Sequence, residues 1–393
     1  MSAWIYEFCD LLTGVPITTL ELDKPQFASQ IIVPGSFSAT IQVTNKGEAE
    51  RVRQVFPAPL EWPPPAGSGR VRCDVYQGPT YEEPWDSYIV WEDTTRGSDR
   101  TDGGTIEIRG AQIASYLHHR TIWDDLAFAQ EDQIDIAHAL VADMQAEPGG
   151  DLGIGIQGAL SGVLRDRTYL ASEAATYGQR LTELASVDGG FEWIVRTSLG
   201  VGGRPVHDFV TGYPNLADPA TDPLTELEVS RPGNLLAYSV GASALNTGTR
   251  WRGRGDTVND DITQTSEALL GNIMTAMDFV GAGWPYLDQT LDYQGVLEVA
   301  TLDAYARWWR DTRSGVVRVP DLTVRFDDTL PIHPHLLGNY VQVTIVDLLN
   351  PLNPDGSPSF RARWRVVGME VTPKQRGQGS DTARLVLEEA RTP

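Results

Sequence analysis

Hydrophobic and polar positions alternate with period two along much of this chain. The pattern is clearest from Gly35 to Val43, where Phe37, Ala39, Ile41 and Val43 fall on one face. Successive side chains of an extended strand point to opposite faces, so this stretch reads as a half-buried strand. Trp4–Phe8 and Ile17–Leu22 read the same way, about a turn at Thr13-Gly14-Val15-Pro16. Past a proline-rich loop from Pro57 to Pro65, strands are expected over Val71–Tyr76, Ser87–Trp91 and Thr105–Gly110. A polar loop from Asp93 to Gly104 separates the last two. Several short strands with turns between them predict a small barrel or sandwich.

The spacing then turns helical. A short helix is expected over Ala111–His118. A longer one follows from Ile134 to Glu147, with Ile136, Leu140, Val141 and Met144 on its apolar face, Glu131-Asp132-Gln133 putting acids in its first turn and Pro148-Gly149-Gly150 as its stop. Another is expected from about Glu173 to Val187, striped by Tyr177, Leu181, Leu184 and Ala185, before strand resumes at Phe191–Arg196. This block predicts a small α/β domain. Strands return at Thr225–Val229 and Asn234–Val240, and residues 263–313 read as mostly helical. The chain closes on strands over Asp321–Phe326, Tyr340–Val346, Arg361–Val371 and Ala383–Glu388. Residues 225–262 are therefore expected to pair with 316–393 across the helical insert. The fold class is α+β and β-dominated.

At 393 residues the chain exceeds one typical core. Its 38 glycines and 25 prolines exceed what a helical bundle carries and fit a turn-rich β protein. The net charge of −22 repels phosphate, which argues against a dedicated nucleic-acid-binding role. The same acidity suits a conduit that must not hold DNA. Cys9 and Cys73 are too few for a disulfide framework and too far apart for a zinc motif, so both are expected as buried free thiols. No apolar run approaches the roughly 20 residues of a membrane helix, and MSAWIYEFCD places acids where a signal peptide has cations.

Candidate chemistry is sparse. Gly153-Ile154-Gly155-Ile156-Gln157-Gly158 has dinucleotide-binding glycine spacing, but a helix and a Pro-Gly-Gly stop precede it instead of a strand, so a surface loop is expected. His118 and His119 are adjacent and would diverge by about 100° on a helix. His333-Pro334-His335 has no acid or cysteine at ligand spacing, and His138 lies within a helix. Asp124-Asp125, Glu131-Asp132 and Asp260-Asp261 are neighbours that 53 acids make inevitable; solvated charge is expected at each. No nucleophile elbow, zinc-protease helix or Walker loop occurs in the sequence. Trp308-Trp309 could stack on a sugar, though core or subunit packing is the simpler reading.

Three places carry a family resemblance. The first is Tyr6-Glu7-Phe8-Cys9-Asp10-Leu11-Leu12-Thr13-Gly14 leading to Pro34-Gly35-Ser36-Phe37-Ser38-Ala39-Thr40. The second is Tyr116-Leu117-His118-His119-Arg120-Thr121-Ile122, followed by Asp132-Gln133-Ile134-Asp135-Ile136-Ala137. The third joins Leu337-Gly338-Asn339-Tyr340-Val341-Gln342-Val343 to Arg365-Val366-Val367-Gly368-Met369-Glu370-Val371-Thr372-Pro373. In this order they resemble the minor tail proteins of actinobacterial siphophages, the tail-tip baseplate hub proteins. Those hubs are similar to the central proteins of contractile baseplates and to type VI spike proteins.

The resemblance implies two tube-like antiparallel β-barrels per subunit. The first would span residues 1–118, a small α/β domain 119–212, the second barrel 213–262 with 316–393, and a helical insert 263–315. A homotrimer would present six barrels, adapting a sixfold tail tube to a threefold virion tail tip. It would close the DNA channel until ejection. Implied partners are the distal tail protein, the tape-measure protein and other tail-tip proteins, with genome DNA passing the lumen without specific binding. Assembly would occur in the host cytoplasm. No catalytic residue, cofactor or metal ligand is implied. Many tail-tip proteins carry a C-terminal hydrolase or receptor-binding module, whereas this sequence stops at Pro393 after its last strand, so no lytic activity is expected. The rival readings are a tail-associated cell-wall or polysaccharide hydrolase and a carbohydrate-binding tail module using Trp308 and Trp309.

Overall fold

Alternation at the N-terminus becomes β1 (Trp4–Asp10), β2 (Pro16–Thr19), β3 (Asp23–Gln30) and β4 (Ser36–Val43). A helix that the strand pattern did not announce, α1 (Lys46–Val55), follows. Then come β5 (Val71–Gln77), β6 (Pro84–Ser98) and β7 (Thr101–Gln112). A 3-10 turn, Ile113–His118, leads to β8 (Leu126–Asp132), α2 (Gln133–Ala146), β9 (Ile154–Gln157), β10 (Leu164–Tyr169), α3 (Tyr177–Ala185), β11 (Glu192–Leu199) and β12 (Pro205–Gly212). The later elements are β13 (Leu227–Arg231), β14 (Leu235–Ser243), β15 (Arg250–Thr257), β16 (Ala268–Leu270), β17 (Met274–Thr275), α4 (Met277–Gly281), β18 (Asp288–Asp292) and α5 (Val299–Arg313). The last strands are β19 (Val317–Arg325), β20 (Tyr340–Ile345), β21 (Phe360–Thr372) and β22 (Thr382–Glu389). This computed structural model describes residues 4–57, 64–98, 101–187, 189–216, 227–243, 247–257, 267–293, 296, 298–314, 317–325, 332–374 and 379–389.

The chain divides into two compact units. The larger comprises Met1–Ala185, Phe191–Tyr238 and Asp321–Pro393; the smaller comprises Ser186–Gly190 and Ser239–Pro320. The main sheet runs β14-β19-β22-β21-β3-β4-β7-β6-β5-β1-β2, with β20 beside β21 and β13 beside β20. N-terminal and C-terminal strands meet at β21 and β3, where Gly368 faces Gln30 and Val371 faces Phe27. Their inner faces share one apolar core that includes Phe8, Phe27, Phe37, Tyr88, Val343, Val371 and Leu385. Burial of this scale is the main favourable term in folding.

A second core in the larger unit joins α2 and α3 to the β11-β12-β9 sheet, with Ile134, Leu140, Met144, Leu181, Leu184, Trp193 and Phe209 packed together. The stripes expected on both helices are the buried residues. At α3 the approach of the 3-10 turn is close enough to require glycine. A Cβ added to Gly178 would lie 2.7 Å from ring atoms of His118. Gly178→Ala is expected to cost about 1–3 kcal/mol through overpacking, seen as a lower urea midpoint at unchanged slope.

Several sequence expectations need correction. Of the polar stretch expected as a loop, residues 93–98 and 101–104 are strand in the long β6–β7 pair, held by pairs such as Asp93 with Ile108 and Thr95 with Ile106. Its strands look polar because many side chains face solvent; Arg96 and Glu107 pair across it at 2.9 Å. The helix expected over Ala111–His118 begins only at Ile113 and is a 3-10 turn. The glycine-spaced segment expected as a surface loop contains β9, which runs parallel to β12 with Ile154 opposite His207.

The segment expected to be mostly helical is mixed. The smaller unit has a four-stranded sheet with β15 paired to β16, β17 and β18, and α5 lies on β15. Leu227–Arg231 does pair with the closing strands, through β20. Arg250–Thr257 does not; its partners are β16, β17 and β18. The glycines between its arginines explain why. A Cβ on Gly253 would sit 3.0 Å from Leu302, and one on Gly255 would sit 2.3 Å from the Val296 carbonyl oxygen, so their absence lets the Leu302 turn of α5 approach the strand. Trp251 is buried beside them, its ring stacked 5.7 Å from Trp309.

Candidate functional site: a buried polar seam

The structure concentrates its buried polar chemistry where β1, β3, β5 and β6 meet the β11–β12 hairpin. Asp86, at the start of β6, is buried and accepts four hydrogen bonds. Oδ1 receives the Ser87 amide at 2.8 Å and the Thr197 hydroxyl at 3.0 Å. Oδ2 receives the Ser29 hydroxyl and the Gln112 amide nitrogen, both at 2.6 Å. Burial nevertheless pushes the Asp86 carboxyl up to about 6, because desolvation outweighs the four donors. Gln112 turns its oxygen to the Gly35 amide at 2.6 Å, tying β7 to the entrance of β4.

The Thr197 hydroxyl has one proton and gives it to Asp86. The 3.3 Å contact between Thr197 Oγ1 and His207 Nδ1 therefore needs His207 to donate, which makes it the neutral Nδ1–H tautomer. Burial, reinforced by the nearby Arg72 charge, pushes His207 down to about 4.

Beside it lies the ion pair of Arg72 and Asp74, with Nε 3.0 Å from Oδ1 and both side chains buried. Asp74 also accepts Ser87 Oγ at 2.6 Å and Cys9 Sγ at 3.4 Å. Glu7 accepts Tyr76 OH at 3.2 Å. Register explains the grouping: Glu7 faces Asp74 and Cys9 faces Arg72 across β1 and β5, so all four share one face. Cys73 faces Phe8 and points into the apolar core. Both cysteines are buried free thiols, as the sequence suggested.

Glu7, Cys9 and Asp74 present ligand atoms within 4.8 Å of one another. They fit a metal poorly. Arg72 already supplies the positive charge at Asp74, and burial, followed by the charges of Asp74 and Glu7, raises the Cys9 thiol far above its ordinary range. A bound cation would have to displace a buried guanidinium and deprotonate that thiol. The group acts as a hydrogen-bonded brace.

Two further clasps extend the seam. His333 accepts the His335 amide at Nδ1, 3.2 Å away, so its Nε2 donates to the Pro84 carbonyl at 3.2 Å. His335 Nε2 reaches the Thr197 carbonyl at 3.1 Å. Burial, helped by neighbouring His335, holds His333 down at about 4. Arg365 on β21 pairs with Glu192 on β11 and donates to Asn215 Oδ1 at 2.9 Å. These contacts stitch the C-terminal segment to the start of β6 and to the β11–β12 hairpin.

Several of the other sequence candidates have structural roles. Asp132 caps α2 through the Ile134 amide at 2.8 Å and also accepts from the Gly162 amide at 2.6 Å and Ser161 Oγ at 3.0 Å. Burial works against its ionisation, but these amides hold its carboxyl below the usual range. Asp132→Ala is expected to cost about 1–3 kcal/mol, measured by chemical unfolding, by removing both the cap and the 161–162 loop anchor. Asp125 accepts the Ala171 amide at 2.8 Å, while Asp124 is exposed. His119 stacks on Trp91 at 3.9 Å, and His138 meets Thr211 Oγ1 at 3.3 Å. Asp260-Asp261 lies outside the described residues. Trp309 stacks on Trp251 and donates to Tyr293 OH at 2.8 Å, and Trp308 packs edge-on against it, which is packing geometry.

The fold so defined is a β-dominated α+β architecture whose buried polar residues join segments and whose helices cover sheet faces. Solved phage tail proteins share that fold over essentially the whole chain. The 43 kDa tail protein of prophage MuSo2 from Shewanella oneidensis is similar with a TM-score of 0.60 and 12% identity, covering 99% of this chain and 98% of its own. A tail protein from Neisseria meningitidis MC58 gives 0.56 at 15% identity, covering 98% and 96%. A Francisella PdpA–VgrG complex, half-lidded, contains a chain that gives 0.54 at 8% identity, covering 100% of this chain and 59% of that one. No protein family and no curated protein matches the chain in sequence.

Proposed function

We propose that this chain is a structural hub at the distal tip of a non-contractile phage tail. The observation that carries the reading is the end-to-end match to a phage tail protein, 99% of this chain on 98% of the other. The seam described above suits such a part, since it fixes segments instead of exposing reactive groups. In this reading residues 1–118 and 213–238 with 321–393 supply two tube-like barrels, 119–212 the small domain between them, and 239–320, which holds β15 and its partners, the insert. Three copies form a ring with six barrel positions, meeting a sixfold tube on one side and a threefold tip on the other. Ring closure also covers sheet edges that would otherwise template aggregation.

The partners in this reading are the distal tail protein, the tape-measure protein and the other tail-tip proteins. DNA passes the acidic lumen without binding, and the ring closes the channel until ejection. The chain is no enzyme in this account, and no residue is given a catalytic, cofactor or metal role. Antibody against it is expected to label purified tails at the end distal to the capsid. Labelling along the whole tube would overturn the assignment, and clearing of host cell wall in a zymogram by the purified chain would favour the hydrolase instead.

A further inference from the structure

Residues 346–359 connect β20 to β21 as a loop that holds leucines in water. Leu348 is 100% exposed and Leu349 84%, with Leu352 also outward. The loop is braced in this shape. Asp347 Oδ2 accepts Tyr238 OH at 2.6 Å, and its Oδ1 accepts the amides of Leu349 and Asn350 at 3.0 and 2.9 Å. Asn350 Nδ2 reaches the same tyrosine oxygen at 3.0 Å. Further along, the Asn353 amide donates to the Ser357 carbonyl at 2.8 Å, and Asp355 is taken up by Ser357 Oγ at 2.6 Å. Adjacent leucines held outward on a preorganised loop keep the ordering cost of binding low, which is the arrangement of an interface anchor.

The base of the anchor carries a slight excess of positive charge, unlike the chain as a whole. Arg231, Arg361 and Arg363 lie at its base against the loop's two acids, Arg231 being 3.9 Å from Asp347, so the arginines outnumber the aspartates by one. Arg231 sits over Tyr238 at 5.8 Å and Arg363 over Tyr340 at 4.4 Å. The whole chain is at −22. Elsewhere in the larger unit is a surface of matching chemistry. Trp123 is 66% exposed and is followed by exposed Asp124 and Asp125. The Asp125 bond to the Ala171 amide sets exposed Leu170 nearby.

We propose that the Leu348–Leu349 loop of one copy docks on the Trp123–Asp124–Leu170 surface of a second copy. Apolar anchor meets apolar patch, and the arginine base meets the aspartates. Two different surfaces are used, so the contact is heterologous and closes only as a ring. An anionic membrane is disfavoured as occupant by the chain's overall charge. The inference rests on the ring reading above and assigns its contact.

The test is sedimentation of the full chain over a dilution series, for wild type, Leu348→Ser with Leu349→Ser, Trp123→Ser, and Leu12→Ser as an exposed control elsewhere. These side chains face solvent, so thermal melting should confirm that every variant folds. The loop double variant and Trp123→Ser should each weaken self-association at least roughly tenfold, and Leu12→Ser should not. If wild type associates and both variants match it, this contact is wrong and the ring reading stands. If only the loop variant is impaired, the Trp123 surface is the wrong acceptor. A wild type that stays monomeric at every concentration overturns both.

Discussion

Arg72→Met is expected to destabilise the larger unit by about 3–5 kcal/mol, because it leaves Asp74 buried without its counter-charge. The guanidinium contacts both carboxylate oxygens, Nε at 3.0 Å from Oδ1 and Nη2 at 3.2 Å from Oδ2. Ser87 Oγ and Cys9 Sγ remain as donors to Asp74 but carry no charge. Adding Asp74→Asn should recover much of the loss, since the amide oxygen still accepts from Ser87 and no charge is stranded. Urea unfolding of wild type, single and double variants reads both numbers. A single-variant loss under about 1 kcal/mol would mean that water reaches the seam.

The second large effect is acid sensitivity. His207 and His333 are held at about 4 in the folded chain, against an ordinary 6.5. Above pH 6.5 both are neutral in either state and cost nothing. As the pH falls from 6.5 toward 4, the unfolded chain takes up protons that the folded chain refuses, so stability is lost over that window. Between pH 7 and pH 5 the two together are worth about 3–4 kcal/mol. Asp86 has the opposite sign. Its carboxyl, raised to about 6 from 3.8, binds its proton earlier in the folded state and returns stability as the pH drops through that range. The histidines outnumber it, so the seam as a whole weakens in acid. A His207→Gln, His333→Gln double variant should lose about 3–4 kcal/mol less than wild type between pH 7 and pH 5. Equal losses would place both rings in contact with solvent.

The apolar faces of the regular elements were legible in the sequence. Phe37, Ala39 and Ile41 are buried along β4, and Tyr177, Leu181 and Leu184 along α3, because period alone decides which side chains face a core. The helix α1 carried a readable signal that hydrophobic pattern did not weigh. Asn45 Oδ1 accepts the Glu48 amide at 2.9 Å and Glu48 accepts the Thr44 amide at 2.6 Å, reciprocal capping at an otherwise polar helix. The β6–β7 hairpin was hidden because its strands alternate polar with polar where both faces meet water. Strand β15 was hidden by glycines that α5 requires and arginines that solvent tolerates.

The seam was illegible for a different reason. Asp86 meets Thr197 from 111 residues away, and His333 meets Pro84 from 249, so no local spacing announces either contact. Asp132, expected as solvated charge beside Glu131, is instead a buried helix cap, a role that the following helical stripe could have indicated.

In the proposed assembly, copies of this chain close into a threefold ring, which native mass measurement of the purified protein reads out. Three copies of 43.1 kDa predict a species near 129 kDa that persists on dilution. A single species at 43.1 kDa, unchanged at the highest soluble concentration, would contradict it.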